Sequence, residues 1–310
     1  MQLCGIAINA GEKKEAELPV PGGGSFHVTL FRGANPGKTL VVTAGVHGCE
    51  YNGIEALRSL REELDPKLLR GQVILVPLIN RNGFYLGTKQ TMPEDHVNLN
   101  RAFPGDAFGT AAARMAAALE QHLYAHADLL ADLHGGDVNE MAMPFVYFPA
   151  KAAPQVCERS RAAAQALSLP YRVASSSRNG LYSWAAQQGV PALLLERGGR
   201  GGWSTDEVAA YRHNIYELLN HLEILPQNSP CPAQKEIQET VYLEAEQQGF
   251  WYPFVQEGHA FPKGAVLGEL RDYNGNLIRT HRAAFDGVAL YYTVALGVQA
   301  GDPLIAYGKL

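Results

Sequence analysis

The stretch that decides the fold is Thr39-Leu40-Val41-Val42-Thr43-Ala44-Gly45-Val46, which runs directly into His47-Gly48-Cys49-Glu50. Eight residues, mostly apolar and β-branched, read as a strand buried on both faces. Glu50 to Leu64 follows, with Ile54, Leu57, Leu60 and Leu64 at helical spacing and Pro66 as a stop. The pair is a strand followed by a helix, and the unit repeats. Gly71–Ile79 is the next strand, Thr110–Ala127 an Ala-rich helix, and Asp128–Leu133 a strand that ends at His134-Gly135-Gly136. Pro154–Leu167 and Leu181–Gln188 read as helices, Pro191–Leu195 as a strand that ends at Glu196, and Thr205–Leu222 as a helix. Alternation of this kind predicts an α/β layered fold with a largely parallel sheet.

The pattern stops near Leu225. Pro226–Pro232 (PQNSPCP) has the composition of a linker, and beyond it short strand-like pieces alternate with glycines. The expected organisation is therefore residues 1–225 as an α/β catalytic domain and 226–310 as a small, Gly-rich, all-β, barrel-like domain. Within it Lys263–Gly268 resembles Ala300–Ile305 at an offset of 37 positions, as in the two halves of a biotinyl/lipoyl-like barrel. None of Lys235, Lys263 and Lys309 sits in a turn such as DYNGN, so the module reads as structural or gating and not as a carrier.

Composition narrows the function classes. The net charge of −5, with no Lys/Arg-rich run, argues against nucleic acid as a partner. No uncharged apolar stretch approaches the ~18 residues of a membrane span, and Met1–Val20 lacks the pattern of a signal peptide. Four cysteines, Cys4, Cys49, Cys157 and Cys231, are few and show no paired spacing, which suits a reduced cytoplasm best. The reading leaves the oligomeric state open, a homo-oligomer included.

The chemistry-bearing residues lie where open α/β sheets place their sites, at the carboxyl ends of strands. His47 and Glu50 share one turn, and His134 ends another strand. Two imidazoles and a carboxylate are a catalytic zinc set that leaves a position for water. Glu196 leaves an apolar strand into Arg197-Gly198-Gly199 and is a candidate general base; the competing reading is a surface glutamate paired with Arg197. Asn100 and Arg101, in VNLNRAFPG, suit the grip of a substrate carboxylate. His122 and His126 are four apart on a helix, but their Ala- and Leu-rich surroundings favour packing over ligation. Cys49 reads as a small buried residue. Neither G-x-S-x-G nor a P-loop is present.

Taken in order, VTAGVHGCEYNG, VNLNRAFPG, DLHGG and GVPALLLERGG resemble the succinylglutamate desuccinylase/aspartoacylase family, a branch of the zinc carboxypeptidase superfamily, over roughly residues 35 to 225. The resemblance implies a mixed, mostly parallel sheet flanked by helices. It implies one zinc ion on His47, Glu50 and His134, Glu196 as general base and acid, and Asn100 and Arg101 on the carboxylate of an N-acyl amino acid. The family's usual "GTR" string is here Gly87-Thr88-Lys89, so Lys89 or Arg81 is expected to steady the oxyanion. Asp132 is a candidate to orient His134, and Tyr182 a candidate substrate contact. The expected activity is zinc-dependent hydrolysis of the amide of an N-acyl amino acid. The alternatives are a zinc carboxypeptidase acting on short peptides and a binding protein without catalysis.

Overall fold

A computed structural model of the chain describes residues 2–226 and 233–310. The opening strand is Asn35–Ala44, and its apolar part, from Leu40 on, is inaccessible to solvent. It pairs in parallel with Arg70–Val76 on one side and Leu129–Leu133 on the other, and Leu129–Leu133 pairs in parallel with Ala192–Gly199. These four strands are the centre of the sheet, and their near-continuous apolar sequences follow from burial on both faces.

The two-residue period sorts their side chains. Leu40, Val42, Leu75, Leu133 and Leu195 face the helices Tyr51–Glu63, Pro154–Gln165 and Thr205–His221. Val41, Ile74, Leu130 and Leu194 face the helices Ala111–Leu123 and Leu181–Gln187. The strand and helix segments expected from the sequence are all present, with ends shifted by a few residues.

Antiparallel strands extend this centre at both ends. Ser25–Arg32 pairs with Arg70–Val76, and Glu12–Pro19 pairs with Ser25–Arg32. At the other end Glu140–Pro149 pairs with Ala192–Gly199. Glu12–Pro19 is the charged edge strand, whereas Glu140–Pro149 is apolar from Met141 on, as a strand paired on both sides requires.

The strands after residue 233 divide between two sheets. Gly287–Thr293 pairs antiparallel with Glu140–Pro149, and Pro303–Lys309 and then Thr240–Glu244 add beyond it, so this half continues the large sheet. Gly249–Pro253, Val266–Arg271, Leu277–Arg282 and Gly297–Val298 form a separate four-stranded antiparallel sheet over Trp251, Leu267 and Leu270. The two echoed segments adopt the same turn. Gly264 and Gly301 both have φ +84°, a value that glycine takes without strain, and each turn leads into a strand. The linker-like Pro226–Pro232 lies, beyond Pro226, outside the described residues. No helix among the described residues is long and apolar enough to cross a membrane.

Candidate active site

The turn after Asn35–Ala44 brings His47 and Glu50 together. Glu50 stands at the N-cap of the helix Tyr51–Glu63, yet its side chain makes no cap hydrogen bond. It turns back instead, with Oε1 2.6 Å from His47 Nδ1 and Oε2 3.0 Å from His134 Nδ1. Gly48 allows the turn to lie flat on its neighbour: a Cβ there would meet Phe84 N at 2.2 Å and Gly83 C at 2.5 Å. His134 follows Leu129–Leu133 and keeps the strand direction through a hydrogen bond from its N–H to Leu195 O (2.8 Å). Tyr211 Oη donates to His134 O.

The three candidate ligands, all buried, present atoms that lie within 4.8 Å of one another. The far side of each imidazole is also held. His47 Nε2 lies 3.1 Å from Asn98 Oδ1, and His134 Nε2 lies 2.8 Å from Asp132 Oδ2. Asp132 is itself fixed by a 2.6 Å hydrogen bond from Thr43 Oγ1. An acceptor on Nε2 leaves the Nδ1 lone pair for a cation, which is the arrangement that metal-binding histidines use. Burial would raise the Glu50 carboxyl, but the two imidazoles outweigh it and hold it low. Burial would lower His134, yet Asp132 and Glu50 push it well up. The donor set and its outer supports fit a zinc ion.

Glu196 is part of the Ala192–Gly199 strand and does not follow its end. The parallel partner stops at Leu195↔Leu133, but Glu140–Pro149 continues to pair on the other side, with a register shift between Glu196 and Gly198. Bulges of this kind re-aim side chains. Glu196 lines the same cavity as His47, Glu50 and His134, whereas Arg197 points the other way, to Glu207 (3.1 Å) and over the Tyr211 ring. The pair that would make Glu196 an ordinary surface residue is therefore not formed. Burial, opposed by His134 and reinforced by Glu50 and Glu140, raises the Glu196 carboxyl well above the ordinary range. A group so placed can hold a proton and pass it on.

The cavity measures about 1090 Å³. Asn100, Arg101 and Tyr182 line it. Asn98 caps the short turn Leu99–Arg101 through Asn100 N (2.8 Å), and Asn100 Oδ1 accepts from Leu181 N (2.9 Å), so this loop is tied to the start of the helix Leu181–Gln187. Arg101 is exposed toward the cavity, and its Nη1 donates to Asn100 O (2.8 Å). Tyr182 is buried beside Ser175, and burial pushes its phenol up.

The cations proposed for the oxyanion lie elsewhere. Gln90, not Lys89, lines the cavity; Lys89 acts at longer range on Asp137 and Glu140. Arg81 begins the helix Arg81–Leu86 and is exposed, outside the cavity wall. His126 Nε2 accepts from Cys4 N (3.1 Å) and His122 Nε2 lies 3.2 Å from Pro19 O, in keeping with packing roles. Cys49 is buried and its Sγ donates to Asp137 (3.2 Å); burial, then Glu50 and Asp137, push the thiol up, as suits a small buried residue.

Sequence reasoning passed over Asn98, although it stands in the VNLNR string, because its role depends on a histidine 51 positions away. It also passed over Glu140, Tyr147, Tyr242 and Tyr291, which line the cavity from strands that carry no motif. Glu140 is buried, and its carboxyl is pushed up to about 7, by burial first and then by Asp137.

Buried histidines around a carboxylate, with a second carboxylate across the same cavity, are the kind of donor set and proton carrier that metal-assisted hydrolases use. A model described as the succinylglutamate desuccinylase/aspartoacylase catalytic domain matches residues 36–222, and the chain belongs to this family of deacylases. The chain is 28% identical over 284 residues to the N-alpha-acetyl-L-2,4-diaminobutyric acid deacetylase of Halomonas elongata, covering 88% of this chain and 83% of that one. The fold matches the product-bound ectoine utilization protein EutE (DoeB) from Ruegeria pomeroyi with a TM-score of 0.88, at 24% identity and 98% coverage of both chains. It matches a succinylglutamate desuccinylase/aspartoacylase from Rhodobacter sphaeroides with a TM-score of 0.87, at 24% identity and 99% and 98% coverage.

Proposed function

We propose that the protein is a zinc-dependent deacylase that hydrolyses the amide of a small N-acyl amino acid. The observation that carries this is the convergence of His47, Glu50 and His134, each buried and each imidazole braced on its far nitrogen, on a cavity that Glu196 also lines. Zinc held by His47 Nδ1, His134 Nδ1 and Glu50 would lower the pKa of a water toward ~7 and polarise the scissile carbonyl.

The chain's own residues supply the rest. Glu196 takes the proton of the attacking water and returns it to the departing amine, a role suited to a carboxyl held above its ordinary range. Arg101, steadied by its bond to Asn100 O, docks the substrate carboxylate, and the loop's tie to Leu181 keeps that grip in register with the scissile bond. Tyr182 forms part of the wall against which the substrate rests. Lys89, placed to act at range, contributes a positive field to the site and not a direct contact with the oxyanion.

Residues 1–225 are the catalytic unit in this reading, and residues 226–310 shape its mouth. Gln238, Thr240, Tyr242, Tyr291 and Ile305 line the cavity from the C-terminal strands, so access is set there. The relative from Halomonas supports small N-acyl amino acids as the substrate class.

The test is removal of metal by chelation, then assay of N-acetyl and N-succinyl amino acids before and after zinc is restored. Full activity in the metal-free protein would end the proposal. The cavity volume of about 1090 Å³ exceeds the ~300–1,000 Å³ usual for small-molecule sites, so short peptides belong in the panel. Turnover of peptides without turnover of N-acyl amino acids would replace this reading with that of a carboxypeptidase.

A further inference from the structure

Tyr211 has no place in the chemistry above and does not line the cavity, yet it touches both halves of the site. It lies on the helix Thr205–His221 and is wholly buried in the apolar cluster that contains Val208, Ile215 and Leu218. A phenylalanine would fill the same space. A hydroxyl taken into such surroundings is costly unless it is bonded.

Its bonds go to the backbone of the site. The hydroxyl donates to His134 O and lies 3.3 Å from Leu195 O, the carbonyl that also accepts from His134 N (2.8 Å). Both carbonyls sit where the parallel pairing of Leu129–Leu133 with Ala192–Gly199 runs out, at Leu195↔Leu133. Past that pair His134 leads into Gly135-Gly136, and the register on the other side shifts between Glu196 and Gly198, so a regular ladder no longer sets the spacing of the two side chains. The ring of Tyr211 meets the other neighbour of Glu196. The Arg197 guanidinium lies 5.1 Å from the ring centre, with Nη1 3.1 Å from Glu207 Oε2 and Nη2 3.4 Å from Asn214 Oδ1. Glu207, Tyr211 and Asn214 recur at helical spacing, so one face of the helix grips this strand end. Tyr211 thus holds the residue before Glu196, the residue after it, and His134.

We propose that Tyr211 is a positioning residue: through its hydroxyl and its ring it fixes the distance between the proton-carrying carboxylate of Glu196 and the imidazole of His134. The inference rests on the deacylase reading and deepens it. Glu196 must meet the attacking water at the place that His134 helps to define, and a displacement of about 1 Å costs about 10²-fold in rate. Substrate docking by Arg101 and Asn100 lies outside this link, so the loss should fall on kcat and not on KM.

The experiment compares the zinc-loaded full chain with Tyr211→Phe on N-acetyl amino acids, at a temperature well below both melting points. The variant keeps the ring and the Arg197 stack and loses one hydroxyl. Its kcat should fall by about 10- to 100-fold, with KM within about threefold of the wild-type value. In a Glu196→Gln background, where the proton carrier is already lost, the same change should lower kcat by less than about twofold. With cobalt(II) in place of zinc, the visible absorption bands should shift as His134 moves, a signature read without turnover. A merely stabilising bond would lower the melting temperature and leave kcat, the coupling to Glu196 and the spectrum unchanged.

An unchanged kcat in Tyr211→Phe overturns the inference, as does an equal loss in the wild-type and Glu196→Gln backgrounds. Should Tyr211→Phe fail to fold, Arg197→Lys decides, since it leaves the hydroxyl in place and removes only the planar stack: a lower kcat at constant KM supports the inference, and an unchanged kcat overturns it. If the wild-type protein hydrolyses no N-acyl amino acid, the deacylase reading falls by itself and the cobalt spectrum decides the placement of His134. A spectrum unchanged in Tyr211→Phe then overturns this inference as well.

Discussion

Replacement of Asp132 by asparagine should weaken zinc binding by about 10- to 100-fold, although Asp132 touches no substrate and no metal. Its carboxylate is wholly buried, with Oδ2 2.8 Å from His134 Nε2 and Oδ1 held by Thr43 Oγ1 at 2.6 Å. The substitution preserves shape and the bond from Thr43, so the fold should survive. Two effects act at His134, in opposite directions. Loss of the carboxylate lowers the imidazole's hold on its proton, of which Asp132 is the leading support, and this eases the entry of a metal. The same carboxylate stabilises a divalent cation at Nδ1 more strongly than it stabilises a single proton, and that support is lost too. The amide also presents an N–H toward Nε2, which moves the ring proton to Nδ1, the atom that must bind the metal. The second and third effects exceed the first, for a net loss of about 1.4–2.7 kcal/mol. Competition with a chromophoric zinc chelator measures it, and thermal unfolding of the metal-free variant confirms the fold. An affinity within about twofold of the wild-type value would refute the bracing role given to Asp132.

Glu196→Gln should lower kcat by roughly 10²- to 10⁴-fold while zinc stays bound; loss of metal together with activity would mean that Glu196 is a ligand and not the proton carrier. Arg101→Ala should cut kcat/KM for an N-acyl amino acid by about 10- to 100-fold, and Arg101→Lys should recover little because the planar fork is gone. An unchanged value in either variant would move the carboxylate grip to another residue. Gly48→Ala should destabilise the protein by about 1–3 kcal/mol, because the new Cβ meets the Phe84 and Gly83 backbone, which cannot swing aside. A wild-type melting temperature would contradict that packing. Zinc affinity should fall as pH is lowered, and the fall should begin well above the ordinary histidine range: His134, raised by Asp132 and Glu50, carries a proton that the metal must displace, whereas Glu50 is already ionised. Calorimetry in buffers of different ionisation heat should show proton release, and a pH-independent affinity would count against it.

The central strands and most helices were legible in the sequence because local pattern dictates them. A run such as TLVVTAGV buries both faces only in the middle of a sheet, and Ile54, Leu57 and Leu60 can form one stripe only on a helix. His47 and Glu50 were legible because three positions on one turn reach a common point, and the place of His134 followed from the strand before it. Glu196 was read as the residue at a strand end, whereas its strand is prolonged through Gly199 by an antiparallel neighbour that no local pattern announces.

What tertiary structure alone decided are the contacts between distant segments. Asn98 became the support of His47, Asp132 that of His134, and Glu140 a buried carboxylate in the cavity wall, only when separate loops and strands met. In the same way Gly287–Thr293 joins Glu140–Pro149, so that strands from the chain's end line the cavity formed by its first two thirds. The physical reason is that periodicity reports which face of an element is apolar, whereas strand pairing across more than a hundred residues depends on backbone hydrogen bonds that every residue but proline can make.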